Sequence, residues 1–404
     1  MPVLKINSPH IHAKKSYHPA VFLSMVILML FSGFAAVAQR IIPAAGRMNE
    51  YLPMLKGKKV ALVINQTSVT GNTLLPDTLL KRGVRVVKIF APEHGFRGRA
   101  DAGAHVDNDK DSATGLPVIS LYGDNKKPKA QQLSDVDIVV YDLQDVGVRF
   151  YTYISTLQYV MEACAENGKL LVVLDRPNPN GWYVDGPVLD TAQRSFVGMQ
   201  PIPVVYGMTA GEYARMLKGE KWCSGAEKLY MKVISCAGYD HTSRYELPVA
   251  PSPNLKTAAS VMLYPALCFF EGTVVSVGRG TYKPFEQYGH PSFRGRTSYS
   301  FTPRAMTGAT KPLYEGQECF GELLSAEGFS IHGIDLQWLI KAYNWYPDKT
   351  KFFNSFFEKL AGTTVLRKQI EQGMTDEQIH AAWKPGITAF KKIRRKYLLY
   401  KDFE

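Results

Sequence analysis

The chain has 404 residues, 46% hydrophobic and 21% charged, with a formal net charge of +12. That length carries about two domains. The excess of base is spread along the chain, with one dense patch at Lys391, Lys392, Arg394, Arg395 and Lys396. Ile393, Tyr397 and Leu398 recur at helical spacing there, so the patch reads as the solvated face of an amphipathic last helix rather than a nucleic-acid surface.

In chain order, residues 1–38 read as an export signal. Lys5, Lys14 and Lys15 give a basic leader without acids, an apolar run covers 20–31, and Ala36-Val37-Ala38 supplies an A-x-A cleavage site before Gln39. The apolar run is shorter than the roughly 20 residues a membrane span needs, and no later segment resembles one. The expectation is a periplasmic or secreted protein with no stable membrane insertion after cleavage, and export also argues against nucleic acid. Cleavage removes three Lys and no acid, so the formal charge falls from +12 to +9. Export permits disulfides. The five cysteines, Cys164, Cys223, Cys236, Cys268 and Cys319, match no metal-ligand spacing; Cys223 and Cys236 are the near pair and the candidate bridge.

Strand and helix then alternate. Residues 59–65 (KVALVIN) form a continuous apolar strand, as expected when both faces of a parallel sheet are covered. A helix over 75–82 ends at Gly83, and a second strand over 84–90 runs into Ala91-Pro92-Glu93-His94-Gly95. Further strands are predicted over 117–121, 137–141 (DIVVY), 170–174 and 202–206, with helical pieces over 129–133, 155–167 and 209–217. Thr209 and Glu212 have capping-box spacing. The pattern implies right-handed crossovers and an α/β, doubly wound parallel sheet over 48–250. After Pro248, Pro251 and Pro253 the texture changes, and 251–404 reads as a second, smaller α+β domain.

In such a sheet the ligand sits outside the carboxyl ends of the strands. The first strand ends on Asn65, Gln66, Thr67 and Ser68, and the second on Glu93 and His94, with Arg97 and Arg99 beyond. The fourth ends on Asp142, Gln144 and Asp145, followed by Arg149, Tyr151 and Tyr153. The fifth ends on Asp175, Arg176, Asn178 and Asn180. Four polar strand ends in register suggest a site for a hydroxyl-rich or acidic ligand. Each residue also has a structural reading: Asp142 and Asp175 as helix caps, Arg149 and Arg176 as their partners, His94 as a bonded loop residue. Glu93 stands out, because Pro92 and Gly95 fix it in a rigid turn directly off a buried strand. A carboxyl group held there, partly desolvated, suits a general acid.

Other chemistries lack their motifs. No G-x-G-x-x-G follows a strand, and neither a phosphate-binding P-loop nor a G-x-S-x-G elbow is present. His94 and His105 lie near Asp101, Asp107 and Asp109 without a known ligand spacing. Neither a cofactor nor a metal is expected.

The stretches APEHGFRG (91–98), DLQDVGVRFYTYISTL (142–157), LDRPNPNG (174–181), VYGMTAGE (205–212), PSPNL (251–255) and FEGTVVSVGRGT (270–281) resemble the exo-β-N-acetylmuramidase family of peptidoglycan hydrolases. The similarity runs from about residue 50 to the terminal YLLY. It implies a Rossmann-like catalytic domain, an auxiliary C-terminal domain, and release of terminal β-1,4-linked N-acetylmuramic acid from the non-reducing end of peptidoglycan fragments. The family's proposed catalytic glutamate falls on Glu93. Lys256 after PSPNL, and Tyr282-Lys283 before Pro284-Phe285-Glu286, depart from the family pattern and bear on fine substrate preference.

Glycoside hydrolysis needs a protonated carboxyl at the leaving oxygen and a second group for the oxocarbenium-like centre. Glu93 suits the first role and Asp142 or Asp145 the second, with Glu271 and Glu286 as outside candidates if the second domain folds over the cleft. Muramic acid carries a lactyl carboxylate, which a guanidinium binds bidentately, so Arg149, Arg176 or Arg279 could read it. Tyr151, Tyr153 and Trp182 could pack on sugar faces. The segment with Arg279 and Glu286 is too polar and Gly-rich for core and is expected to wall one side of the site. Two other classes remain at this stage: a non-catalytic wall-glycan binder, and another wall hydrolase such as an esterase or amidase.

Overall fold

The computed structural model describes residues 1–2, 40–93, 96, 109–324 and 333–404. The export-signal reading therefore falls outside the described residues, as do His94, Arg97, Arg99, Asp101, His105 and Asp107.

The strands of the first region are β1 (Lys59–Ile64), β2 (Val69–Thr70), β3 (Thr73–Leu74), β4 (Arg85–Ala91), β5 (Asp109–Lys110), β6 (Pro117–Ser120), β7 (Ile138–Asp142), β8 (Leu170–Leu174) and β9 (Met231–Ile234). Seven of them form one sheet in the order β5-β6-β4-β1-β7-β8-β9. Six of these are parallel, and β5 is an antiparallel edge on β6. Counted in chain order, the parallel strands stand 3-2-1-4-5-6, so the order reverses between β1 and β7.

β1 is apolar throughout because both its faces are covered. Val60, Leu62 and Ile64 enter one core with Leu75 and Leu79 of the helix Leu75–Lys81. Ala61 and Val63 enter the other, with the helices Tyr153–Glu166 and Ala210–Gly219. Thr209 and Glu212 do form a reciprocal capping box on the latter helix.

Segment 202–206 is not a strand of this sheet. Pro201 and Pro203 lack amide donors, and the segment bonds outward instead: Val205 exchanges two backbone bonds with Asp185, and the Arg149 amide donates to Val204. The sixth parallel strand is β9, a half-exposed edge.

The later region carries an antiparallel sheet of β10 (Gln287–His290), β11 (Tyr299–Phe301) and β12 (Cys319–Leu323), ordered β10-β12-β11. Helices Ala258–Leu267, Gln337–Trp345, Phe357–Ala361, Val365–Glu371 and Asp376–Arg394 accompany it. Its aromatic residues, among them Phe269, Phe270 and Phe357, share the larger core with the first region, and Ile41–Glu404 forms one compact unit.

The basic patch of the last helix is not wholly solvated. Arg394 is buried, donates to the Gly207 carbonyl at 2.8 Å and pairs with Asp402 through both terminal nitrogens. All five cysteines are free. The expected Cys223–Cys236 bridge is not made; the Cys236 thiol instead donates to the Asp175 carbonyl at 3.3 Å. No helix among the described residues is long and apolar enough to cross a membrane.

Candidate active site

The polar strand ends converge as expected, but they bond to each other beneath the surface. Arg176 grips Asp142 through Nε (2.5 Å) and Nη2 (2.9 Å), both side chains being buried. Burial works against both charges and their mutual attraction works for both. Asp142 also accepts from the Ser68 hydroxyl at its main-chain oxygen. Asp145 accepts from the Gly147 amide (2.6 Å) and the Tyr206 hydroxyl, and burial pushes its carboxyl up to about 6 against those two donors. Asp175 receives Thr209 (2.7 Å), the Gly211 amide (2.8 Å) and Tyr400 (2.6 Å), which ties the start of helix Ala210–Gly219 and the C-terminal tail to the end of β8. Burial lifts its carboxyl to about 6 as well, with the Tyr400 and Thr209 hydroxyls opposing. The Asn178 side chain donates to Met208 and accepts from the Asn180 amide.

Arg149 is an extreme case. Its side chain is completely buried, and its terminal nitrogens donate to four carbonyls: Pro187, Ile202, Leu360 and Ala361. Burial lowers its pKa from the arginine range. It fastens the two regions of sequence together. Gly362, at φ +72°, leaves it room, since a Cβ there would come within 2.5 Å of Arg149 Nη2.

The open site lies to one side of this network, as a cleft of about 1170 Å³ outside the carboxyl ends of β4, β6 and β7. The first region contributes Glu93, Tyr122, Lys126 and the run Phe150–Tyr153 to its lining; the later region contributes Glu271, Arg279, Phe285 and the stretch 308–313. Arg279 and Glu93 thus line the same cleft. Asp142, Asp145, Arg149, Asp175, Arg176, Asn178 and Glu286 do not. The expectation that Asp142 or Asp145 supplies the second group is corrected on placement, because both side chains are buried off the cleft lining, Asp142 against Arg176 and Asp145 with its Oδ2 on Gly147 and Tyr206. Arg149 and Arg176 are unavailable to a ligand for the same reason, and Glu286 is buried with Thr257 on it at 2.5 Å. Trp182 lines a second groove, which shares Leu255 with the cleft, and the Arg244 guanidinium lies 3.6 Å from its ring centroid.

Glu93 is half-buried, two residues beyond the buried Ala91 that ends β4. The Thr152 hydroxyl donates to its Oε2 at 2.7 Å. The Tyr122 hydroxyl also bonds it, and burial together with the Glu93 charge pushes the Tyr122 phenol up, so that it stays a donor at neutral pH. The strand-end network reaches Glu93 through the Thr152 contact. Asn65 donates to the Tyr153 hydroxyl at 2.7 Å, Tyr153 begins the helix that Thr152 precedes, and Tyr151 packs edge-on against Tyr153 while donating to Pro251 at 2.9 Å. The buried polar residues therefore hold the wall that holds Glu93.

Among the lining residues of the later region, Arg279 Nε donates to Glu271 at 2.6 Å, and the Cys268 thiol lies 3.6 Å from the same carboxylate. Burial lowers the Arg279 pKa, and the Glu271 charge more than offsets that. The guanidinium sits 5.1 Å from the Phe285 ring centroid. Phe285 has φ +58°, a conformation costing a non-glycine residue about 1–3 kcal/mol; such strain is found where a side chain must be aimed. Among the described residues no metal-ligating cluster occurs.

Tyr122, Lys126, Thr152 and Lys311 line the cleft and were not singled out from the sequence. Tyr122 had a readable signal, since it follows β6 as Glu93 follows β4. Lys311 had none.

Residues 60–259 match the family model described as exo-beta-N-acetylmuramidase NamZ, N-terminal, and residues 262–400 match its C-terminal counterpart. The peptidoglycan beta-N-acetylmuramidase NamZ of Bacillus subtilis (strain 168) is 38% identical over 377 residues, which is 87% of this chain and 89% of that protein. Two crystal structures of DUF1343 family proteins from Bacteroides fragilis NCTC 9343 are similar. One has a TM-score of 0.83 at 44% identity, over 90% of this chain and 100% of that one. The other has a TM-score of 0.74 at 29% identity, over 90% and 99%. With both halves matched and the order of elements shared, the chain belongs to the exo-β-N-acetylmuramidase family.

Proposed function

We propose that this chain removes terminal β-1,4-linked N-acetylmuramic acid from the non-reducing end of peptidoglycan fragments, with Glu93 as the general acid. The observation that carries the assignment is the setting of Glu93: a carboxyl in a large cleft, oriented by the hydroxyls of Thr152 and Tyr122, with both regions of the chain closing around it. Protonation of the glycosidic oxygen from this position lets the aglycone leave as an alcohol while positive charge builds at the anomeric carbon; water then bonds to that carbon and gives up a proton, which frees the sugar and restores the protonated Glu93. The sequence has no G-x-S-x-G elbow for a serine esterase, and no metal-ligating cluster for a zinc amidase occurs among the described residues; turnover of a chromogenic muramide separates the enzyme from a non-catalytic glycan binder. The terminal sugar's lactyl carboxylate is assigned to Arg279, whose Nε is engaged by Glu271. Export to the periplasm or beyond rests on the leader pattern of residues 1–38. Recovery outside the cytoplasm with Gln39 at the N-terminus supports it, and retention of Met1 in the cytoplasm refutes it.

The Glu93→Gln variant tests the acid. General acid catalysis contributes about 10²–10⁴-fold, so kcat on a muramyl glycoside with a poor leaving group should fall by that range while the thermal unfolding midpoint stays put. Near wild-type kcat in the folded variant sinks the assignment. A substrate with a very good leaving group should be much less affected, since it needs little proton assistance.

A further inference from the structure

The cleft does not end at Phe196. A polar recess of about 510 Å³ adjoins it and shares Lys126 and Phe196 with it, running along the flank of helix Tyr153–Glu166 as far as Trp222. A space of this size holds a drug-sized ligand, for which pockets run about 300–1,000 Å³, and a disaccharide is of that class.

Its lining combines stacking surface, amides and positive charge. Tyr159 stacks on Phe196 with ring centroids 6.0 Å apart and planes 13° from parallel, and Lys126 Nζ lies 5.0 Å from the same ring. The Gln200 amide donates to Gln158 (2.9 Å) and to the Trp222 carbonyl (2.8 Å), which fixes the floor. Arg194 stands exposed at the side, its Nη2 3.5 Å from the Gln200 oxygen. The lining holds one carboxylate, Glu162, which lies 3.3 Å from Lys127 and accepts from Gln158 at 3.0 Å, while Lys127 pairs more closely with Glu166 at 2.6 Å; Lys126 and Arg194 therefore leave the lining with one cation in excess. Aromatic faces pack on pyranose rings, fixed amides bond hydroxyl and acetamido groups, and a guanidinium binds a carboxylate. A ligand presenting all three is a saccharide bearing an acid.

The recess also meets the cleft on the acid's side. Tyr122, which bonds Glu93, and Lys126, which lines both the cleft and the recess, belong to one short stretch after β6, whereas Arg279 comes from the later region of the chain and does not line the recess. The general acid contacts the oxygen that joins the terminal sugar to the remainder of the chain. In a glycan of alternating N-acetylmuramic acid and N-acetylglucosamine, the remainder begins with a neutral sugar, and the next sugar again carries a lactyl carboxylate.

We infer that this recess is the subsite for the retained glycan, with Arg194 and Lys126 receiving the lactyl carboxylate of the second muramic acid and Tyr159 and Phe196 supporting its ring. The inference rests on the muramidase reading of the cleft and extends it from the released sugar to the chain left behind.

The test compares a chromogenic muramyl glycoside, which cannot reach the recess, with a tetrasaccharide of alternating muramic acid and glucosamine units. Wild type should show a higher kcat/KM on the tetrasaccharide than on the corresponding disaccharide. Loss of a charge-assisted contact is worth about tenfold or more, so Arg194→Met should remove about that factor from the tetrasaccharide while leaving the chromogenic muramide unchanged. Tyr159→Leu should act in the same direction. Equal kcat/KM for disaccharide and tetrasaccharide in wild type overturns the subsite. So does an equal loss on the tetrasaccharide and the chromogenic substrate in both variants, which would place the recess with the terminal sugar. Failure of the muramidase reading itself has a different signature, namely no wild-type turnover of any of these substrates, and it overturns both.

Discussion

Two carboxylate–guanidinium pairs, Asp142 with Arg176 and Glu271 with Arg279, look alike in sequence and occupy opposite settings. The first lies under the sheet end with side chains 0% and 2% exposed, and the arginine closes on the acid through two nitrogens. The second lies in the cleft wall at about one quarter exposure, joined through Nε at 2.6 Å. A buried pair is costly to desolvate and costly to break, whereas a part-exposed one is weakly stabilising and can exchange its partner for a ligand. The lesson is that charge at the end of a parallel strand marks the neighbourhood of a site without saying which charges face it.

The largest expected effect comes from breaking the buried pair. Arg176→Met leaves Asp142 buried and uncompensated, a change that typically costs about 3–5 kcal/mol, and Asp142→Asn leaves the guanidinium in the same position. Both should lower the denaturant midpoint markedly. If the pair is structural, the double variant Asp142→Leu/Arg176→Met should recover part of the loss, because neither charge is then stranded. Full stability of either single variant, measured by urea unfolding, would remove the distinction between the two pairs.

The same contrast explains how much was legible in the sequence. β1, β7 and β8 were readable because a strand covered on both faces is apolar without interruption, as in KVALVIN and DIVVY. β9 was not, because it is a half-exposed edge of four residues with Ile234 alone buried, and its Lys232 breaks the apolar run. Segment 202–206 was misread for the converse reason: it is buried and apolar, but Pro201 and Pro203 deny it a ladder. The place of Glu93 in the cleft lining was readable from its position directly after a buried strand. The roles of Asp142, Asp145, Arg149 and Arg176 were not, because burial of a polar side chain depends on partners far along the chain. The Arg149 acceptors at Leu360 and Ala361, for example, lie more than 200 residues away.

An effect of intermediate size is expected at His380 of helix Asp376–Arg394, with Nε2 3.2 Å from Asp185 and Nδ1 3.1 Å from Asp376. Burial pulls its pKa down, but hydrogen bonding to the two carboxylates wins and carries it up to about 10. The folded value lies above the unfolded value of about 6.5, so the stabilisation is complete below about pH 6.5 and is lost as pH rises through 10. After allowance for solvent screening it is on the order of 1–2 kcal/mol. Wild type should therefore lose stability between pH 7 and 10 relative to His380→Gln, and parallel unfolding midpoints across that range would contradict the pairing.

The smallest effect on stability, and the sharpest on function, is expected at the exposed pair. Arg279→Met removes a contact that is part-exposed, so its cost to the unfolding free energy should stay within about 1 kcal/mol. It keeps the aliphatic bulk over Phe285 and removes the charge. If Arg279 reads the lactyl carboxylate, the variant loses a charge-assisted bond of about 1.5–3 kcal/mol, which is roughly one to two decades in kcat/KM. That loss should fall on the muramide alone, leaving any activity on the matching glucosaminide unchanged, because the glucosaminide has no lactyl group. Glu271→Gln separates the two roles of the pair: it keeps a hydrogen-bond acceptor for Nε and removes the competing charge, so the muramide preference should hold or rise. A preference that survives Arg279→Met intact would move lactyl recognition to Lys126 or Lys311, the other described cations of the cleft lining, and would leave Arg279 as a brace for Phe285.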